Sequence, residues 1–406
     1  MKFIRFATMM MVVLGILCAC GQQGNKPVGL NNSPVVAQRV VTPQGDEVVV
    51  ANMDLMTDTI DFPMSLLLSD LEIVKLDDRD EALIGIEPWA TVSDNYVAVL
   101  SFQNGIKLFN KRGDFLTEIS KLGQGPNEYT LSPVDMYIDE SDNRFYFHTA
   151  ADNKIFAFDL QGNPAKHIPL IIDSAKKTHF RVDTQQQLLY VAHMTFDANE
   201  PVYWIQDLDG NLIQQLPAGH LATFPDFSNE LGASSNTTAV DYSIGYCYAD
   251  RVDSLYHYDE TTNRMIPVFT TNLDCISNYH SYKELPDYFL IFQNDYYHPE
   301  TGWGFALIDK HTLKGSHVRL KFDMLGNIDF PRSSIWNRGS YKTCIHPYIL
   351  QEQWMKKGEI EGLPEGIARF VKYLQTHDVE EMNNVVLIGK LKQSKDEGFT
   401  LHDMNF

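Results

Sequence analysis

The chain has 406 residues, 44% hydrophobic and 12% aromatic, and its 33 Lys+Arg against 53 Asp+Glu leave a formal net charge of −20. That apolar content supports a large core, and the aromatic share excludes a disordered acidic chain. The negative balance repels phosphate backbones, which excludes nucleic acid as a partner.

Lys2 and Arg5 precede an apolar run from about Phe6 to Leu17. A dozen or so apolar residues fall short of the about 20 that a membrane-spanning helix needs, so residues 1–19 read as a cleaved export signal. Leu17-Cys18-Ala19-Cys20 resembles the lipobox of bacterial lipoproteins, with leucine three before the modified cysteine and a small residue directly before it. The resemblance implies a lipid on Cys20 and a membrane attachment through it. Gly21 to about Pro34 is rich in Gly, Asn, Gln and Pro without a hydrophobic period, and the whole stretch 20–58 is read as lipidated N-terminus and flexible tether. Residues 59–406 are read as one domain.

From about Ile60 onward, short runs of Val, Ile, Phe and Tyr alternate with Asn-Gly, Asp-Asn and Gly-Asn turn signals, which predicts a mostly β fold. Ile106-Lys107-Leu108-Phe109 before Gly113 recurs as Ile155-Phe156-Ala157-Phe158 before Gly162, and similar hairpins turn near Gly210, Thr262 and Thr312. Steps of 48–52 residues between those turns suit four-stranded propeller blades, six or seven of them. Strands such as Tyr96-Val97-Ala98-Val99-Leu100 are apolar on both alternating faces, as blades stacked on two sides require. Ile367, Phe370, Val371 and Leu374 follow helical spacing after Pro364, which predicts a short amphipathic helix interrupting the last blade. The strand Val385–Leu391 then completes that sheet, and ring closure requires pairing between strands distant in sequence.

The string Gly123-Gln124-Gly125-Pro126-Asn127-Glu128-Tyr129 resembles the Gly-x-Gly-Pro-Gly-Glu-Tyr loop of the six-bladed β-propeller lipoproteins of Bacteroides-type bacteria, NHL- or TolB-like in architecture. Leu71–Leu76, the Phe109–Phe115 hairpin and Val386–Lys392 agree with the same family. The resemblance implies an all-β, six-bladed β-propeller in the cell envelope. The family's last loop glycine is Asn127 here, a residue that tolerates positive φ. Gly123, Gly125, Asn127, Glu128 and Tyr129 are therefore a candidate ligand-contacting loop, with a turn joining two blades as the favoured alternative.

Thirteen histidines are scattered singly and form no His-Glu-x-x-His string, so no metal is expected. Asp207-Leu208-Asp209-Gly210-Asn211 opens like a calcium loop but lacks its later ligands and reads as a hairpin turn. No Gly-x-Ser-x-Gly elbow and no phosphate loop occurs, which leaves no catalytic residue and no cofactor assigned. Cys247, Cys275 and Cys344 allow at most one disulfide, Cys247–Cys275, or buried thiols. Tyr296, Tyr297, Trp303 and Trp336, with Tyr242 and Tyr246, form a candidate aromatic binding face, against which packing between blades is the favoured alternative.

These readings predict a non-catalytic binding module for a glycan, peptide or envelope protein. The alternative is a propeller-type lactonase, lyase or glycan hydrolase with carboxylates at the central channel. Gly21-Gln22-Gln23-Gly24-Asn25 carries none of the acidic residues that resemble surface-export signals. The expected location is the periplasmic side of the outer membrane, with the cell surface as the alternative.

Overall fold

The computed structural model describes residues 28–402 except 86–87, 103, 173–176, 247–252, 277, 296–302, 330–333, 358–361, 394–395 and 397. Because the repeated runs are apolar on both faces, the strands stack as sheets covered on two sides; Tyr96–Ser101 and Lys154–Asp159 are buried along nearly their whole length. Six such sheets form a β-propeller.

Blade one contains Trp89–Val92, Tyr96–Ser101, Gly105–Asn110 and Phe115–Ser120, and blade two Pro133–Asp139, Arg144–Thr149, Lys154–Asp159 and Ile168–Pro169. Blade three contains Thr178–Asp183, Leu188–His193, Pro201–Asp207 and Leu212–Pro217, and blade four Glu230–Gly232, Asp241–Gly245, Leu255–Asp259 and Arg264–Thr271. Blade five contains Asn278–Glu284, Tyr288–Asp295, Trp303–Asp309 and Gly315–Phe322. Blade six takes Ile335–Asn337, Ser340–Ile345 and Val385–Lys390 from the C-terminal part and Asp70–Lys75 from the N-terminal part.

Each junction between neighbouring blades has its own apolar cluster. Ala98, Leu100 and Leu108 of blade one meet Phe145, Phe147 and Phe156 of blade two. At the other end of the ring, Val74, Cys344 and Val386 of blade six meet Val97, Val99 and Phe109 of blade one. The last sheet is thus zipped by antiparallel pairing of Asp70–Lys75 with Val385–Lys390, Ile73 opposite Leu387.

The recurring turn has a local cause. Asp159 Oδ1 accepts from the backbone of Gln161 and Asn163, and Asp207 Oδ1 from Asp209 and Asn211, while Gly113, Gly162 and Gly210 take φ of +87°, +85° and +94°. Asp207–Asn211 is accordingly a hairpin turn between the third and fourth strands of blade three.

Two findings depart from expectation. Thr59–Pro63, which opens the stretch read as domain, pairs in parallel with Gly315–Phe322 of blade five, and within the stretch read as tether Ala37–Val41 and Glu47–Ala51 form a hairpin that pairs in parallel with Arg264–Thr271 of blade four. The tether reading does not hold for these residues, because Val48, Val49 and Ala51 bury against the sheet edge. Two helices, α1 (Pro347–Lys357) and α2 (Glu365–Thr376), interrupt blade six rather than one. In α2 the buried residues are Ile367, Phe370, Val371 and Leu374, as the spacing predicts. Among the described residues no helix is long and apolar enough to cross a membrane.

Candidate functional site

The first strands of neighbouring blades pack against one another around the axis, so alternate side chains on them face the central channel. Asp135 comes from blade two, His179 from blade three, and Arg338 from the turn after the first strand of blade six. Arg338 and Gly339 have φ of +55° and +66°, the left-handed pair of a tight hairpin, which throws the Arg338 side chain across the axis. Its Nη1 donates to Met136 O at 2.9 Å and its Nη2 to Phe180 O at 3.1 Å, with Asp135 Oδ2 at 3.4 Å. The guanidinium lies 4.9 Å from the centre of the Tyr137 ring, within cation–π range.

Asp135 is almost fully buried and also accepts from Phe180 N at 3.1 Å. Burial raises its carboxyl, but the Arg338 charge and the hydrogen bond from His179 outweigh burial and hold it down to about 2. His179 Nε2 lies 3.1 Å from Leu231 O, and its Nδ1 is 3.4 Å from Asp135. Arg338, Asp135 and His179 thus form a belt of polar groups tying blades two, three and six.

A cavity lies to each side of this belt. One, of about 280 Å³, is lined by Tyr137, Tyr190, Tyr203 and Arg181, whose guanidinium sits 4.1 Å from the Tyr190 ring centre. The other, of about 420 Å³, is lined by Trp89, Pro133, Leu231, Lys283, Lys342 and Cys344, with Asp135 and His179 at its floor. Lys342 is 2% exposed and donates to Asn337 O at 3.3 Å and Ser340 Oγ at 3.2 Å. Burial, with the positive charges of Arg338 and Lys283 outweighing the negative charge of Asp135, pushes its ammonium down to about 7. Burial likewise lowers Lys283, which Asp241 partly offsets.

Two further clusters each bring three potential metal ligands within 4.8 Å of one another: Asp241, His257 and Glu284, and Asp253, Cys275 and His280. Both already have internal partners. Glu284 accepts from Lys310 at 2.5 Å and lies 2.6 Å from His257 Nε2. Asp253 Oδ1 accepts from the Tyr282 hydroxyl at 3.0 Å and lies 3.1 Å from His280 Nε2. Asp241, His257 and Glu284 come from three different strands, and Asp253 lies far along the chain from Cys275 and His280, beyond the reach of a local motif search.

The sequence-predicted residues fall elsewhere. Glu128 turns back into its own loop, accepting from Gly125 N at 2.9 Å, and a Cβ on Gly123 would lie 2.0 Å from Glu128 Oε2. Tyr129 is fully buried between blades one and two, edge-on to Phe147. Asn127 does not have positive φ; its carbonyl accepts from Ser120 Oγ at 2.7 Å. The glycines therefore make room for Glu128 rather than supply left-handed backbone at Asn127, and the loop is a turn between blades.

Trp336 is 2% exposed and packs on Tyr341, with ring centres 4.9 Å apart, so it belongs to the core and not to a binding face. Tyr242 and Tyr246 are buried too. Trp303 opens the third strand of blade five, while Tyr296, Tyr297, Cys20 and Cys247 lie outside the described residues. Cys344 is a buried thiol pushed up to about 12 by burial, which Asn384 partly offsets, and the Cys275 sulfur lies 4.0 Å from His280 Nε2. The signal for the lysine-lined cavity was present in the sequence: Lys342 interrupts the otherwise uncharged strand Ser340–Ile345.

The fold and its axis define a six-bladed β-propeller with a basic cavity beside a closed polar belt. Residues 48–390 match the family described as domain of unknown function DUF4934, and the chain belongs to it. Among solved structures, a Bacteroides fragilis protein provisionally described as exported is 14% identical, with a TM-score of 0.56 over 85% of this chain and 99% of that one. A member of the DUF4221 family from Bacteroides vulgatus is 10% identical, with a TM-score of 0.41 over 81% of this chain and 98% of that one. No curated protein matches.

Proposed function

We propose that the protein is a non-catalytic binding module of the cell envelope, anchored through a lipid on Cys20 and taking a glycan, peptide or envelope protein where an axial cavity opens. The observation that carries this reading is the make-up of the channel. Asp135 is the single carboxylate among the described residues lining the 280 and 420 Å³ cavities, and Arg338 already neutralises it; Asp94, Asp139 and Glu140 line a further cavity of about 650 Å³ that also touches Arg338. Acid/base cleavage of a glycosidic bond uses two carboxylates flanking the scissile bond. The tyrosine-lined side offers ring faces of the kind that grip sugars and peptides. An export route accords with the description of the Bacteroides fragilis relative and with the signal at residues 1–19.

The test is a crosslinking pull-down of the lipidated protein from its native envelope, run beside glycan arrays and assays on lactones and polysaccharides. Retention of a ligand or partner without turnover is expected. Turnover that is lost in Asp135→Asn would establish the enzyme reading instead. Palmitate labelling is expected to vanish in Cys20→Ser, and protease added to intact cells is expected to leave a periplasmic protein uncut.

A further inference from the structure

The chain is strongly acidic, yet its 420 Å³ axial cavity is lined by Lys283 and Lys342. Several buried and half-buried lysines elsewhere in the fold are met by a carboxylate or by close carbonyls. Lys107 donates to two carbonyls at 2.6 and 2.9 Å, Lys310 pairs with Glu284 at 2.5 Å and Lys111 with Glu72 at 2.6 Å. Lys177 pairs with Glu230 and Lys75 with Asp78.

The two cavity lysines have neither a carboxylate partner nor a close carbonyl pair among the described residues. Lys342 reaches only neutral oxygens, at 3.2 and 3.3 Å, and the ammonium of half-buried Lys283 makes no hydrogen bond or ion pair among the described residues. The one carboxylate lining the cavity, Asp135, is engaged by Arg338 and by the backbone of Phe180, and Asp241, whose charge reaches Lys283, is engaged by Ser234 Oγ and Glu284 N.

Desolvated cations without counter-charges are costly, and such groups are kept where something else supplies the charge. We propose that the axial cavity is a binding site for an oxyanion, a carboxylate, sulfate or phosphate group carried by the ligand, held between Lys283 and Lys342. This rests on the channel being the ligand site of the binding module. Lysine ammoniums act on an anion as point charges, unlike the planar fork of arginine, which suits a group whose orientation is set by the rest of its molecule. The volume lies within the range of small-ligand sites, and the half-buried ring of Trp89 in the same wall supplies an apolar face for the carrier of the charge.

The experiment uses the full-length lipidated protein in detergent and reads its melting temperature with sodium sulfate, inorganic phosphate, glucuronate and, as the neutral control, glucose. At least one oxyanion is expected to raise the melting temperature by several degrees at 10 mM, roughly a hundred times the dissociation constant of a 0.1 mM site, and glucose is not. Lys283→Met/Lys342→Met is expected to lose that shift while melting no lower than wild type without ligand, because it removes two unmatched charges. A shift that persists in the double variant means surface binding only and overturns the proposal, as does the absence of a shift with every oxyanion. Envelope capture that is undiminished in the double variant overturns the oxyanion site and leaves the binding module standing. An oxyanion shift with no envelope capture supports the oxyanion site and overturns the module.

Discussion

Glu128 shows how one side chain fixes the shape of a loop. Its carboxylate fills the space where Gly123 and Gly125 lack a Cβ and accepts the Gly125 amide. Gly123→Ala forces Cβ into that carboxylate and is expected to cost about 1–3 kcal/mol, the usual range for overpacking. Gly123→Ala/Glu128→Ala is expected to recover part of the loss, because the obstructing group is gone. Urea midpoints of wild type and the two variants check this, and a double variant less stable than Gly123→Ala would show that the clash is not with Glu128. The motif was visible in the sequence, but its reason was not: steric room around a side chain three to five residues away depends on how the loop closes. A second residue-scale prediction concerns pH. Burial pushes His257 down, but its hydrogen bonds to Asp241 and Glu284 prevail and raise it to about 9. A raised histidine adds stability that is fully present below its ordinary value of 6.5 and is lost as pH climbs through 9. Lys342, lowered to about 7 from 10.5, has the opposite slope, adding stability as pH rises from 7 towards 10.5. The difference in unfolding free energy between wild type and His257→Gln is therefore expected to shrink between pH 6.5 and 9, by about 1–3 kcal/mol. A constant difference across that range would show that the Asp241–Glu284 cluster does not hold the imidazolium.

At the scale of elements, the outer edges of three consecutive blades are occupied by N-terminal chain: the hairpin on blade four, Thr59–Pro63 on blade five and Asp70–Lys75 in blade six. Covered edges do not recruit strands from other molecules. Legibility varied with periodicity. Helix α2 was readable because its apolar residues share one face, whereas in α1 Leu350 and Trp354 are buried while Tyr348, Ile349 and Met355 face solvent. Apolar residues spread around a helix carry no amphipathic signal. The hairpin at residues 37–51 was hidden for a different reason: its strands find their partner more than 200 residues away, and no local pattern shows that. The two helices meet through Trp354 and Phe370, edge to face with ring centres 6.2 Å apart. Phe370→Ala and Trp354→Ala are each expected to cost about 3–5 kcal/mol, and the double variant less than their sum because both empty one shared space. Strict additivity in denaturant titrations would mean that the helices do not depend on each other.

At the scale of the whole molecule, the repeat of about 50 residues was legible because a side-chain-locked turn recurs in consecutive blades, but it left six or seven blades open. The sixth blade settles the number, since its fourth strand comes from residues 70–75 and carries no repeat of its own. The belt of Asp135, His179 and Arg338 was illegible for the same reason: the ring gathers at its axis residues that lie in three different blades. Closure by a strand from the other end of the chain has a direct consequence. Without residues 1–76, Val385–Lys390 would present an unpaired edge, and the apolar faces of Val74 and Leu71 would leave gaps at two blade junctions. Such a chain is expected to self-associate through that edge, giving oligomers by light scattering. A chain beginning at residue 53 loses the cover on blade four and the contacts of Leu30 and Pro34 with blade five but keeps Asp70–Lys75, and is expected to remain monomeric with a lower melting temperature. A peptide spanning residues 68–76, added during refolding of the shorter chain, is expected to restore the monomer, because it supplies the missing antiparallel partner. A monomeric, fully stable chain without residues 1–76 would show that the blade-to-blade packing alone closes the ring. That outcome would reduce the N-terminal strand to an edge cover like the hairpin on blade four.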